Sequence, residues 1–244
     1  MKGFVDLAYR LPFARHYQDF DRGFYVDFPK QLQLMGRWLQ QHHCKNTLDI
    51  GAMTGGCIEY ISGLGIRMDG VQFTPDVKRL AAARLAKAGI KSTLYVSPVH
   101  ADLRVPGKAR YDGIVSLGWF NLPFDRGYLQ RYLDKVNHLL RPGGVFLFDF
   151  FEFKKVIVAP TEAQSFGKDI VYVSHSELLG KLLRRFHLWI VKQRDLYSES
   201  SDLVDRTPAE ARTLLASAGF EVLESRFLNL NYPRQFWLAR KTGL

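Results

Sequence analysis

The sequence has little cysteine and no long apolar run. Cys44 and Cys57 are the only thiols in 244 residues, and no metal-ligand spacing surrounds them. That excludes a disulfide scaffold and points to a reducing, cytoplasmic setting. No apolar run reaches the roughly 18 residues of a membrane span. The first residues, MKGFVDLAYRLPFARHY, interleave acids and bases with apolar side chains and read as neither signal peptide nor anchor. Repeats and low-complexity linkers are also absent. A hydrophobic content of 47% argues against disorder.

What is present in excess is positive charge, a formal +10 from 34 basic and 24 acidic residues. Such a balance suits an anionic substrate or nucleic acid. The basic residues are scattered, however, and bunch only at KLLRRFHLWIVKQR (181–194), so the pattern favours a solvated surface over nucleic-acid binding.

Short apolar runs alternate with helical patterns, which predicts βαβ units and a parallel sheet. Pro29 opens a helix that carries Leu32, Met35, Trp38 and Leu39 on one face. Residues 47–50, 69–73, 93–96, 111–118 and 145–151 read as five strands. TPDVKRLAAARLAKAG (74–89) keeps helical spacing, as do Leu129, Tyr132, Leu133, Val136 and Leu140, and LRPGG ends the second of these helices. From Glu152 to Asp205 the alternation stops. There DIVYVSH and LLRRFHLWIVKQR read as antiparallel strands joined through SELLGK, with a third at LYSESSDLV. Thr207-Pro208-Ala209-Glu210 is a capping box that starts a helix. FEVLESRF and QFWLARK supply the last two strands. The expected organisation is a helical segment over 1–45, an α/β core over 46–151 and 207–244, and an inserted β lid over 152–206.

TLDIGAMTGG (47–56) reads as a buried strand that turns directly into a helix. Glycine there lets a backbone approach a ligand and adopt positive φ. The helix N-terminus offers unpaired N–H groups and a partial positive charge. A nicotinamide cofactor is one candidate, but the order G-A-M-T-G-G departs from G-x-G-x-x-G. Asp49, two residues before the first glycine, would instead hold a cation such as an amino-acid ammonium.

LDIGAMTGG, GVQFTPDV (70–77), YDGIVS, LRPGG and TPAEARTLLASAGF occur in that order and spacing. Together they resemble the class I S-adenosylmethionine-dependent methyltransferases over residues 30–241. The resemblance implies a Rossmann-like, seven-stranded, mostly parallel sheet with an inserted antiparallel β lid, as in small-molecule methyltransferases. It implies S-adenosylmethionine held by Asp49, Gly51, Thr54, Gly55 and Gln72, with Phe73 and Leu117 completing the set. Phe73 either stacks on the adenine or packs in the core. Three positions depart from the family pattern. Met53 stands where a second glycine is usual, and Gln72 where a carboxylate takes both ribose hydroxyls. No acid lies at 98–100, the nearest being Asp102. Neutral Gln72 can still accept one hydrogen bond and donate another.

Methyl transfer is an in-line displacement that needs alignment and exclusion of water more than a covalent group, so acceptor sites are weakly marked in sequence. Glu152, after the fifth strand at the carboxyl edge, is the first candidate for a base or acceptor-binding carboxylate. His100 lies in the cofactor loop, and His187 on a lid strand could face water or substrate. NLPF (121–124) is similar to a signature of amino-group methyltransferases, which makes Asn121 a third catalytic candidate; a plain turn is the alternative, with Trp119 and Phe120 as pocket wall or core. Tyr17 and Tyr25 either close over the cofactor or pack on the core. The expected activity is methyl transfer to N or O of a small-molecule acceptor, with no membrane partner and with nucleic acid disfavoured but not excluded by the basic charge. The alternative is a methyltransferase-like protein whose altered cofactor site serves binding or another reaction.

Overall fold

Apolar side chains alternate along seven short strands to fill both faces of one sheet. A computed structural model describes residues 28–97, 103–150, 162–166, 170–179, 182–191, 195–228 and 234–243, with the backbone alone at Phe28 and 162–202. The elements are α1 (Phe28–Gln41), β1 (Asn46–Ile50), α2 (Gly56–Gly63), β2 (Arg67–Gln72), α3 (Pro75–Lys87), β3 (Leu94–Val96), β4 (Tyr111–Ser116), α4 (Arg126–Leu139) and β5 (Leu140–Phe150). Then come β6 (Glu162–Phe166), β7 (Ile170–Leu179), β8 (Leu182–Val191), β9 (Asp195–Val204), α5 (Pro208–Ser217), β10 (Phe220–Leu228) and β11 (Arg234–Lys241).

The main sheet runs β10-β11-β5-β4-β1-β2-β3. Strands β1 to β5 are parallel, and β11 pairs antiparallel with both β5 and β10. This is the seven-stranded, mostly parallel sheet that the sequence predicts. Its two faces bury separate clusters. Leu48, Ile50, Ile114, Phe146, Phe148 and Phe150 meet α4 and α5 on one side, while Met68, Val115, Leu147 and Phe236 meet α1 and α2 on the other.

Local signals fix the helix ends. Thr74 caps α3 by accepting from the Val77 amide, and Asp125 caps α4 by accepting from that of Tyr128. The capping box at α5 forms in full, Thr207 Oγ1 accepting from the Glu210 amide and Glu210 from the Thr207 amide. Gly70 in β2 stands where α2 crosses the sheet, and a Cβ there would lie 2.7 Å from Ile58 Cδ1 and 2.9 Å from Leu94 Cδ2.

Between β5 and α5 in the chain lies a second sheet, β6-β7-β8-β9, antiparallel throughout. It has one more strand than the sequence reading, because Glu162–Phe166 pairs with β7. SELL is not a connection either: Leu179 pairs with Leu182, so β7 runs to the end of that segment and only residues 180 and 181 intervene. The ladder between β7 and β8 continues through this segment. Leu140 likewise ends outside α4, as the first residue of β5. No helix among the described residues is long and apolar enough to cross a membrane.

Both cysteines are buried, and neither forms a disulfide. Burial, with Asp112 nearby, pushes the Cys44 thiol up to about 12. Iodoacetamide at pH 8 should therefore label Cys44 only after denaturation, since the thiolate is the reactive form; mass-spectrometric labelling of native protein at the unfolded rate would contradict its enclosure. Gly70→Ala should lower stability by about 1–3 kcal/mol, because the added methyl must displace Ile58 and Leu94 together. A urea midpoint equal to wild type would mean that α2 is not clamped on β2.

Candidate functional site

An open α/β sheet binds ligands at the carboxyl ends of its strands, where the order of strands reverses. Here the reversal lies at β1, with β2 and β3 laid down on one side and β4 and β5 on the other. Ile50 pairs with both Val71 and Ser116, so the next residue of each strand, Gly51, Gln72 and Leu117, emerges at one level of one edge. The register thus gathers three of the sequence candidates.

The turn after β1 is fixed by its backbone. The Val71 carbonyl accepts from Gly51 N at 3.0 Å and from Ala52 N at 3.1 Å, and Ala52 O accepts from Gly55 N at 2.8 Å. Gly51 and Gly55 take φ of 86° and 83°, values a side chain resists. Met53 takes φ of 45°. The position where the family usually has glycine therefore keeps a left-handed backbone despite its side chain, with a strain on the order of 1 kcal/mol. Gly55 is the N-cap of α2 and carries no side chain that could bond the N–H groups of the first turn.

Side chains support that turn from behind. Asp49 is buried at the end of β1. Thr54 is buried too, and Arg84 Nη1 reaches its hydroxyl at 3.4 Å while Arg84 Nε pairs with Glu59 at 2.6 Å, which ties α3 to the turn and to α2. Tyr132 donates to Ser116 Oγ at 2.7 Å, and Ser116 donates weakly to the Ile50 carbonyl at 3.5 Å. Burial drives the Tyr132 phenol far above its usual range; the Ser116 hydrogen bond opposes this, and Tyr128 and the Asp49 charge add to it. Phe73 is buried with its ring over Gly51, 3.3 Å from where a Cβ would stand. Gln72 is fully enclosed, and neither its Nε2 nor its Oε1 has a hydrogen-bond partner in the protein.

The acceptor-side candidates part company. Asn121 is 2% exposed and is committed to β9: its Nδ2 donates to the Val204 carbonyl at 2.9 Å, and its own carbonyl accepts from Val204 N at 2.7 Å. Trp119 and Phe120 are core residues, packed edge to face with each other and against Phe148. His100, Glu152, Asp102, Tyr17 and Tyr25 lie outside the described residues. His187 is described by its backbone alone, on β8 opposite Ser174 and Glu199.

Sequence reasoning missed a buried ion pair at the same edge. VFLFDFF reads as apolar throughout, yet its Asp149 accepts from Arg234 Nη1 at 2.6 Å and from Gly118 N at 2.6 Å. Asp149 is 1% exposed and the Arg234 side chain 8%. The pair ties β5 to β11 and fixes the backbone just beyond Leu117. A single acid inside an apolar strand was the available signal. Among the described residues no cluster of His, Cys, Asp and Glu could hold a metal. A cavity of about 760 Å³ opens at the opposite edge, but its Lys241 is already spent on the Asn137 and Leu140 carbonyls that end α4.

Asp149→Ala should cost about 3–5 kcal/mol, because it leaves Arg234 buried without its partner. Replacing both residues by apolar ones should recover most of that loss in urea titrations. An unchanged midpoint for the single variant would show that the pair carries no structural burden.

Comparison with known proteins agrees with this geometry. Residues 47–144 match the family model described as a methyltransferase domain. By sequence, no curated protein matches the chain. Among solved structures, an S-adenosylmethionine-dependent methyltransferase from Clostridium acetobutylicum is 18% identical with a TM-score of 0.79, covering 95% of this chain and 98% of its own. CalS10, an amino pentose methyltransferase from Micromonospora echinaspora, is 18% identical with a TM-score of 0.76, over 93% and 96% of the two chains. The sugar N-methyltransferase KedS8 from Streptoalloteichus is 20% identical with a TM-score of 0.76, over 93% of each. At these identities the likeness is one of fold. The matched methyltransferase domain spans β1 to the start of β5, and the chain as a whole has the fold of these S-adenosylmethionine-dependent methyltransferases.

Proposed function

We propose that this protein binds S-adenosylmethionine at the turn after β1 and transfers its methyl group to a nitrogen or oxygen of a small-molecule acceptor. The observation that carries this reading is the left-handed turn of Gly51, Met53 and Gly55, held by the Val71 carbonyl and leading into the N-terminus of α2. Met53 keeps the backbone that glycine would adopt, so the departure in sequence leaves the main-chain shape intact. That favours a working cofactor site over the altered-site alternative.

The donor set suits the cofactor. Asp49, buried at the end of β1, offers an acceptor for the ammonium of the methionine part. The α2 N-terminus offers N–H groups to its carboxylate. Gln72 presents a donor and an acceptor at the level where a ribose would lie, and Phe73 presents a ring beside Gly51. Bound S-adenosylmethionine would supply a methyl group activated by its sulfonium. The protein's part is to orient acceptor and methyl in line and to exclude water. Leu117, held level with Gly51 and followed by the Asp149-fixed Gly118, would complete the cofactor contacts. Residues 152–206, which contain the second sheet, would form the lid over that acceptor. Glu152 or His100 would take the proton of an acceptor that must lose one. Three similar solved structures bear on the acceptor class: CalS10 is an amino pentose methyltransferase, KedS8 a sugar N-methyltransferase, and the Burkholderia thailandensis protein a 1,6-didemethyltoxoflavin N1-methyltransferase.

S-adenosylmethionine or S-adenosylhomocysteine at 100 times its dissociation constant should stabilise the protein by about 2.7 kcal/mol, or roughly 5–10 °C in melting temperature. NAD should produce no shift, and Asp49→Ala should abolish the shift with the first two ligands. Equal shifts with NAD, or none with any of the three at millimolar concentration, would overturn the reading.

A further inference from the structure

Basic side chains that are scattered along the sequence converge in the fold. Strands β1 to β5 are parallel, so the turns that lead into them share one edge, and β11, running the other way, ends there. In spatial order from β3 to β11 that edge carries Lys91, Arg67, Lys45, Lys108, Arg141 and Arg240, one beside each of six consecutive strands. All six are exposed. At about 4.8 Å between strands, the row is roughly 24 Å long. Hydrogen bonds hold its members together. Arg67 N donates to the Lys45 carbonyl at 3.0 Å, and Asp112 accepts from Lys45 N at 3.0 Å and from Arg141 Nη1 at 2.9 Å.

The carboxylates near this edge do not cancel the row. Asp69, Asp112 and Glu221 each pair with one of the three arginines, and Asp134 accepts from Gln130 Nε2 at 2.9 Å. The side chains of Lys45, Lys91 and Lys108 have no ion-pair partner among the described residues. Beside Lys108 a cavity of about 760 Å³, lined also by His138 and Lys241, gives the row a recess. Among the described residues the exposed large apolar side chain is Phe227, near the other end of β10. An interface with a folded protein has an apolar centre inside its polar rim, and single strands are gripped by stacking on aromatic rings. The row offers neither, and a line of cations fits a line of phosphates. We infer that this edge holds the phosphodiester backbone of a nucleic-acid duplex without reading its sequence, and that the three unpaired lysines supply much of the grip. Strands of five or six residues, about 16–20 Å, separate the edge from the turn after β1, so the contact is distinct from the proposed cofactor site.

Fluorescence anisotropy with labelled DNA and RNA duplexes of about 20 base pairs, in two unrelated sequences, tests this from about 50 to 200 mM KCl. Six phosphate contacts give log K a slope of about −5 against log salt, a loss of roughly a thousand-fold over that range. Affinity should agree within about three-fold between the two sequences, since phosphate contacts carry no base information. Binding of either duplex in this way supports the inference, the tighter one naming the form of helix held. The triple variant Lys45→Gln, Lys91→Gln, Lys108→Gln should bind roughly ten-fold or more weakly at the lowest salt, with a slope shallower by about 3. Its melting temperature, and its response to S-adenosylhomocysteine, should match wild type because all three side chains are exposed and unpaired. No binding to either duplex at about 50 mM KCl, or a triple variant with the wild-type slope, would overturn the inference. So would polyglutamate, or vesicles with about 30% phosphatidylserine in phosphatidylcholine, held as tightly as the duplexes, which would assign the edge to an acidic protein or a membrane surface. The cofactor site is tested separately by the melting shift with S-adenosylhomocysteine.

Discussion

The carbonyl of Val71 accepts two hydrogen bonds, from Gly51 and Ala52, and the site depends on that single acceptor. A parallel ladder alone would leave the chain free to leave β1 in several directions. The double acceptance turns it sharply toward α2, so that the left-handed residues follow and the helix N-terminus faces back across the strand ends. Because Val71 is also the residue paired with Ile50, the same bond that shapes the turn places Gln72 one residue beyond it. The shape of the loop and the position of the orphaned amide share one cause.

Around that point the protein spends its buried polar groups as ties. Arg84 joins α3 to Thr54 and Glu59, Tyr132 reaches through Ser116 to the end of β1, and Asp149 holds Gly118 and Arg234 together. The ties through Tyr132 and Asp149 are enclosed, which makes them costly to break, whereas Arg84 and Glu59 are partly exposed. Gln72 differs in that the fold supplies its enclosure but no partner. Asn121 plays a further structural part, pairing twice with Val204 and so fastening the exit of the second sheet to the loop after β4.

Local chemistry was legible wherever it acts over a few residues. The capping box at Thr207, the helix face of Leu129, Tyr132, Leu133 and Val136, and the buried strands 47–50 and 111–116 are set by side chains that meet one turn or one pleat away. The second sheet was legible only in part. Its strand Glu162–Phe166 has a composition that gains strand form by pairing with β7, and SELL becomes strand for the same reason. Pairing between strands is a contact at a distance, and no short window of sequence contains both partners.

The sequence by itself determined the order of elements in the main sheet, the glycine turn after β1 with Met53 in it, and the presence of Asp49 and Gln72 on the strands beside it, because alternation, capping and turn chemistry are local. Only the tertiary structure decided that Met53 keeps a left-handed backbone, that Asp149 is paired with a residue 85 positions away, that Asn121 is spent on β9, and that Gln72 is buried without a partner. Burial and pairing are properties of the assembled sheet. The same Asp or Gln would be solvated and unremarked on an exposed strand, and it acquires chemical meaning when packing removes water from around it.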